Sequence, residues 1–501
     1  MKKNKGISLM VLVITIIIII ILAGSIILSL SSNNPIKQAN EAKFKLDIGS
    51  FESQLSLYVL SEFAKNPSFL VDDVDATGEG MKAYIPIMTD KYLPILKIVD
   101  GKLVFIGTDD DQKDWAGEII PVVPGSGELP SFMETLNQSV LKSVVKTDDG
   151  GYICVGNSTS YSLGFDKIGY QDAIIVKYNN LGIQEWIKNY GETSSNSFNS
   201  VIKVNDGFIC SGFTSNNTDY SDNAVVAKYD NLGNQVWVKS FTDTTDDSYN
   251  SIIKVSDGFI CAGKNYDGNS NNALAVKYND SGDQQWVKNF GGTYDDKYNS
   301  IIKVSDGIIF VGDSSSTDAG FISKGYKDAI IVKCNDAGVQ QWVKNFGGWS
   351  DDIYNSIIEV SDGYICAGTS SSNDAEFVLQ GYQDAIIVKY NTAGDKQWIK
   401  NLGSYGSGSN FNSLIKVSDG FVCVGNSNST ELGYMNNGND DAIIVKFNDS
   451  GVEQWIKNFG TSEYEGFNSV IEVTNGFVSV GNSDPYFSQN AIIVQTIGNT
   501  P

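Results

Sequence analysis

GYICVG, residues 151–156, returns six more times along the chain, and the spacing of the copies decides the fold. The others are GFICSG from Gly207, GFICAG from Gly258, GIIFVG from Gly307, GYICAG from Gly363, GFVCVG from Gly420 and GFVSVG from Gly476, at steps of 56, 51, 49, 56, 57 and 56 residues. Each copy follows a run such as NSIIKVSD and leads, after a loop, to a second apolar run. These second runs open at Asp172, Asn223, Asn272, Asp328, Asp384, Asp441 and Asn490, six of them reading like DAIIVKYN and the last NAIIVQTI. A Gly-containing turn then precedes a WxKN-like strand at Trp186, Trp237, Trp286, Trp342, Trp398 and Trp455. Four short strands in roughly 50 residues is the spacing of a propeller blade rather than of a solenoid turn. AIIVK is apolar at successive positions, as a strand covered on both faces is. A one-sided sandwich sheet would alternate. Six Trp strands serve seven units, and the first unit's missing strand is expected at residues 129–136, LPSFMETL, without Trp. The expected fold is mainly β, a seven-bladed β-propeller over residues 129–501.

The unit resembles bacterial secreted propeller repeats with WxxxxGG, DGGYIxxG and DxxIVKxDxxG elements, most legible here at residues 286–292, WVKNFGG, and 328–338, DAIIVKCNDAG. The resemblance spans nearly three-quarters of the chain and implies the fold, with no catalytic motif to carry over.

Ahead of the repeats, residues 7–30, ISLMVLVITIIIIIILAGSIILSL, hold no charged residue and sit directly behind MKKNKG. As a helix this run would be roughly 36 Å long, enough to cross a ~30 Å hydrocarbon core. It is too long for the apolar part of a cleaved secretory signal. The lysines predict a cytoplasmic N-terminus, so the rest of the chain is expected outside the membrane. Phe44, Ile48, Phe51, Leu55 and Tyr58 then form one apolar stripe on a helix. The runs 95–99 and 102–106 flank Asp100-Gly101, a strong hairpin signal on which that stripe could pack. PVVPGSGELP, residues 121–130, reads as a linker. The expected division is a leader at 1–6, a transmembrane helix at 7–30, an amphipathic helix and small β element at 31–120, a linker at 121–128, and the propeller.

This beginning resembles the prepilin segment of type IV pilins and pseudopilins: a Lys-rich leader ending in Gly6, the apolar run from Ile7 to Leu30, its amphipathic continuation and a small β element. The resemblance implies a cut after Gly6 by a prepilin peptidase, methylation of Ile7, and packing with other pilin-like subunits into a surface filament. The family usually has Glu five residues after the cut, where this chain has Val11, a departure that speaks for a minor subunit over a major one. A plain signal anchor is the alternative.

The formal charge is −23 and all 36 basic residues are Lys, which argues against a nucleic-acid partner. With no His in the chain, His acid–base catalysis, Ser-His-Asp triads and His metal sites are excluded. Five of the six cysteines occupy one motif position, and equivalent positions in neighbouring repeats lie about 10 Å apart, beyond the ~7 Å limit for a disulfide. They read as buried small hydrophobes, and free thiols outside a membrane point to a reducing habitat. No cofactor is expected. The acidic stretches 109–111 and 267–271 do not match an EF-hand and read as solvated turns, with Ca²⁺ the alternative.

The Trp, the Asp or Asn opening each AIIVK strand, and Asn-Ser pairs such as Asn250-Ser251 and Asn299-Ser300 recur in most blades. Recurrence points to structure: Trp wedged between blades, Asp and Asn bonding turn amides. What differs among blades is the loop before the AIIVK strand, long in blades one, four, five and six. An aromatic residue stands nine positions after the preceding Gly in each: Phe165, Phe321, Phe377 and Tyr434; Tyr170, Tyr326 and Tyr382 follow five later. Aromatics among Ser, Asn and Asp suit an extracellular glycan or protein ligand, unless the rings fold back on their own blades. Three functions follow: an adhesin-type binding module displayed at the cell membrane, an anchored propeller enzyme acting on glycans, or a purely structural filament subunit.

Overall fold

The computed structural model describes residues 43–45, 47–48, 51, 55, 76–99, 102–106 and 132–497, the last span apart from 162, 181, 193, 216–220, 242–244, 375–376, 431–435, 437, 474–475 and 485–488. Contacts divide the chain into one unit of Met1–Ser131 with Ile497–Pro501, and another of Phe132–Thr496.

In the first unit, Phe44, Ile48, Phe51 and Leu55 are helical and buried. They share one apolar cluster with Leu96, Ile98, Leu103 and Phe105. The strands are β1 (Ala76–Thr77), β2 (Leu96–Val99) and β3 (Lys102–Phe105), and β2 and β3 pair antiparallel with Val99 opposite Lys102, as the hairpin signal predicts. The stripe and its hairpin therefore pack together. Tyr58, Gly6, Ile7, Val11 and the apolar run 7–30 lie outside the described residues. Among the described residues no helix is long and apolar enough to cross a membrane.

The second unit is seven four-stranded antiparallel sheets. In the first blade these are β5 (Ser139–Lys146), β6 (Tyr152–Ser158), β7 (Asp172–Tyr178) and β8 (Gln184–Tyr190), from the channel outward. First strands of neighbouring blades touch all the way round, the seventh (Glu465–Val473) meeting β5. Residue alternation explains the packing. Ile153, Val155, Ala173 and Ile175 face the second blade, whereas Tyr152, Cys154, Ile174 and Val176 face the seventh. Each of the seven propeller clusters is one interface between neighbouring blades, and a sheet buried on both faces needs the continuous apolar strands seen in the sequence.

Trp342 shows what the repeated tryptophan does. It packs on the cluster between blades four and five, and a Cβ placed on Gly394 of the next blade would come within 3.0 Å of its ring. Gly394 also has φ +80°, so glycine is required twice over. The six cysteines are buried and form no disulfide, and burial pushes the Cys334 thiol up to about 12.

Strand β4 (Phe132–Leu136) corrects one expectation. It does not belong to the first blade but pairs with Asn490–Ile497 as the outer strand of the seventh, Leu136 opposite Ala491. Without β4 the last blade would have three strands with its apolar third strand at the outer edge; β4 covers that strand and ties the first blade's end of the ring to the last. The chain thus enters at Phe132 and leaves at Ile497 on the end of the propeller that carries the short turns.

Candidate binding site at the loop-bearing end of the channel

The opposite end carries the loops between second and third strands and the connections from one blade to the next. The Asp that opens a third strand clamps the long loop before it. Asp384 accepts from the amides of Gln380 and Gly381 at 2.8 and 2.9 Å and from Asn401 Nδ2 at 2.6 Å. Asp172 does the same with Ile168, Gly169 and Asn189 at 2.9, 2.7 and 2.7 Å. All four blades with long loops have Asp here and the three with short loops have Asn. Two carboxylate oxygens accept what the extra loop backbone donates.

The Asn of each Asn-Ser pair does something different from what its recurrence suggested. It sits on a bulge of the first strand and donates its Nδ2 across the blade boundary to the next first strand. Asn199 reaches Tyr249 O, Asn250 reaches Tyr298 O and Asn299 reaches Tyr354 O, at 2.8, 2.8 and 3.0 Å. Asn355 reaches Phe411 O, Asn412 reaches Phe467 O and Asn468 reaches Leu141 O, at 3.0, 2.9 and 2.9 Å. These bonds run once around the axis, bonding carbonyls between blades rather than amides within turns. In the first blade the equivalent position is Lys142, whose Nζ donates to Asn199 Oδ1 at 2.8 Å.

Above this girdle, toward the loops, lies a cavity of about 540 Å³. Eight of its ten lining residues are amides: Asn157, Gln171, Asn299, Asn355, Asn412, Asn468, Asn482 and Gln489. Val140 and Lys142 are the other two, so among the described residues Lys142 is its one charged side chain. Burial pulls the Lys142 amine down to about 8. A second cavity of about 340 Å³ shares Asn299 and is lined by Lys264, Lys297, Lys327 and Asp313 among others. There the buried Asp313 carboxylate lies 3.3 Å from Lys297 and 3.9 Å from Lys327. Burial raises its pKa, against the pull of both lysines.

The loop aromatics separate into two sets. Phe321 is 1% exposed inside the cluster between blades three and four, and Phe165 and Phe377 are packed against their own interface clusters. Phe321 is thus part of the core, which corrects its assignment as a ligand contact, while Phe165 and Phe377 are half-buried against their blades. Tyr434 lies outside the described residues. Tyr170, Tyr326 and Tyr382 are 72%, 80% and 59% exposed. They are joined at this end by Tyr161, Tyr294, Trp349, Tyr405 and Tyr464, which the sequence reading did not single out. These eight are all the exposed aromatic side chains among the described propeller residues, and every one lies in a loop of this end. The opposite end exposes single aliphatic turn residues, Ile183, Leu232, Val339 and Val452.

Among the described residues no group of His, Cys, Asp or Glu is arranged to hold a metal ion. Asp267 accepts from the amides of Asn269 and Ser270, as a turn residue does, and residues 109–111 lie outside the described set.

Seven radial sheets with one loop-bearing end define a β-propeller. No family model matches the chain, and no curated protein matches its sequence. Among solved structures it is similar to the WD40 β-propeller domain of Doa1, at 12% identity and a TM-score of 0.42 over 73% of this chain and 97% of that one. It is also similar to Sqt1 from Chaetomium thermophilum, at 8% and 0.37 over 73% and 100%, and to a Synechocystis apocarotenoid oxygenase mutant, at 9% and 0.38 over 70% and 88%. Shared architecture at such identity says nothing of shared chemistry.

Proposed function

We propose that this chain is a surface-displayed, non-enzymatic binding module, an adhesin-type propeller carried by a minor pilin or pseudopilin-like subunit, with an extracellular glycan as ligand. What carries the binding role is that all eight exposed aromatic rings share one end with the amide-lined cavity. Aromatic faces cover sugar rings, and carboxamides both donate to and accept from hydroxyls, which suits a polyhydroxylated ligand. The chain's points of attachment, Phe132 and Ile497, do not lie among those rings.

Display rests on residues 1–30 and on the packing of Phe44, Ile48, Phe51 and Leu55 against the hairpin. The proposed course is cleavage after Gly6 by a prepilin peptidase, methylation of Ile7, and residence as a single-pass membrane protein, N-terminus cytoplasmic, before assembly with other pilin-like subunits. A head of some 370 residues and Val11 favour a minor subunit over a repeating shaft protein. Mass spectrometry of the mature N-terminus tests this: a methylated Ile7 is expected, and an intact Met1 leaves only an anchored propeller.

For binding, the full-length chain in mild detergent is screened on glycan and mucin-type arrays. Replacing Tyr170, Tyr326 and Tyr382 together by Ala is expected to weaken the best ligand by about tenfold or more. Unchanged binding by the triple variant removes the loop face, and shortened oligosaccharide products would make the protein a glycan-cleaving enzyme. That chemistry wants two carboxylates, or a Tyr or Lys with one, in a single pocket. The second cavity holds Asp295, Asp296 and Asp313 beside Lys264, Lys297 and Lys327, with Asp313 ion-paired to two of the lysines, and is where a cleaving enzyme would place those groups.

A further inference from the structure

Six blades place Asn on the first-strand bulge that lines the channel, and one places lysine. We infer that Lys142 is the anion-reading residue of the channel, so that the glycan taken at the loop-bearing end carries an acidic group, a carboxylate or a sulfate, on the sugar that enters the cavity. The inference rests on the glycan-binding function proposed above.

Three observations support it. First, among the described residues Lys142 is the only charged one lining a cavity otherwise made of neutral amides and one valine, in a chain of net charge −23. Second, its amine is bonded to Asn199 Oδ1 at 2.8 Å and stands 5.8 Å from the centre of the Phe213 ring, and no carboxylate among the described residues lies within ion-pair distance of it. An ammonium has three donors, and the Asn199 bond uses one. Third, the substitution is not needed for structure. The other six positions show that Asn closes the girdle by itself, whereas the partly buried ammonium costs desolvation that the Asn199 bond and the Phe213 ring offset only in part. The burial that pulls this amine down to about 8 is what an incoming anion would offset, and it leaves the group mostly charged at neutral pH.

The cavity also selects against a purely neutral sugar chain at this point. A neutral hydroxyl accepts from Lys142 as it would from water, while a carboxylate or sulfate forms a charge-assisted bond with it. Asn299, Asn355 and Asn468 each use Nδ2 on the wall, leaving Oδ1 to accept from the hydroxyls of the same residue.

The test compares matched pairs on the full-length chain in mild detergent: sialyllactose against lactose, a glucuronate-containing disaccharide against its glucose counterpart, and a sulfated against an unsulfated galactoside. At least one acidic member should bind about tenfold more tightly than its neutral twin, the size of one charge-assisted hydrogen bond. Lys142→Asn, which completes the girdle, and Lys142→Met should both abolish the difference, bringing the acidic member's affinity down to that of its neutral twin, and Lys142→Arg should retain it. Which pair responds identifies carboxylate or sulfate as the source of the charge. Equal binding of acidic and neutral members by the unaltered protein, or an acidic preference that survives Lys142→Asn and Lys142→Met, overturns the inference and leaves glycan binding standing. Binding of no member of any pair overturns both.

Discussion

The side chain most easily misread is the asparagine of the Asn-Ser pair. Its recurrence is plain in the sequence, and turn bonding is the ordinary use of such a residue. The structure gives it a different partner, a backbone carbonyl on the neighbouring blade, because a bulge turns it out of its own ladder toward the channel. Asn355→Ala should leave Phe411 O without this donor and cost about 1–2 kcal/mol. Urea unfolding with an unchanged slope measures it, and an unaltered midpoint would mean that water replaces the amide. Lys142 was open to the same kind of reading: aligning LKSVVK with YNSIIK sets lysine opposite six asparagines. What alignment lacks is the fact that this column faces the axis. The aromatic assignments divide for a similar reason. Phe321 and Tyr326 are five residues apart in one loop, one buried and one exposed, and loop composition does not say which ring the clamp turns inward.

For the individual elements, strand identity was fully legible, since AIIVK, GxxxxG and the Trp strand each carry the burial pattern they show. The loops were legible in length but not in cause. Asp384 accepts two loop amides on separate oxygens, so Asp384→Asn presents an N–H to a donor it cannot satisfy. A loss of about 1–3 kcal/mol is expected, concentrated in the loop at residues 371–383. Limited proteolysis should cut there first, and cleavage no faster than in the unaltered protein would show that the clamp is dispensable. The reciprocal pair at the turn end behaves as a unit. Lys228, Lys277, Lys333 and Lys389 reach Asp206, Asp257, Asp306 and Asp362 at 2.7 to 2.8 Å. The seventh blade has Gln495 and Asn475 at these positions, losing both charges together.

The ring as a whole joins two opposed populations of carboxylates, and their balance sets the pH of greatest stability. Hydrogen bonds from their lysines hold Asp206, Asp257, Asp306, Asp362 and Asp419 below the usual range. In Asp149 burial is outweighed by bonds from Lys177 and Thr147, and its carboxyl falls to about 2. Such groups stabilise the fold above their unfolded pKa of about 3.9 and lose that contribution as pH falls through the folded value. Burial raises Asp296, Asp313, Asp328, Asp352 and Asp440. These favour the fold when protonated and weaken it as pH rises above about 3.9. Repulsion within a chain of charge −23 acts in the same direction. The thermal midpoint should therefore rise as pH is lowered through the raised values of the buried set toward about 4, and fall below about 3.5 as the turn set is protonated. Added salt should flatten the acid arm, because the turn aspartates are mostly exposed. A midpoint that climbs steadily to pH 9 would contradict the assignment of the buried set.

By itself the sequence determined the number of blades, the order of strands within each and the absence of histidine and arginine chemistry, because period and alternation are local properties of a chain. It also marked the hairpin at residues 95–106 and the stripe that packs on it. Only the tertiary structure decided that residues 132–136 close the seventh blade, that six asparagines bond across blade boundaries, and that eight aromatic rings share an end with an amide-lined cavity holding one lysine. Those facts join residues as much as 363 positions apart, as in the pairing of Phe132 with Gln495, and such contacts are fixed by closing the ring, which no local pattern records.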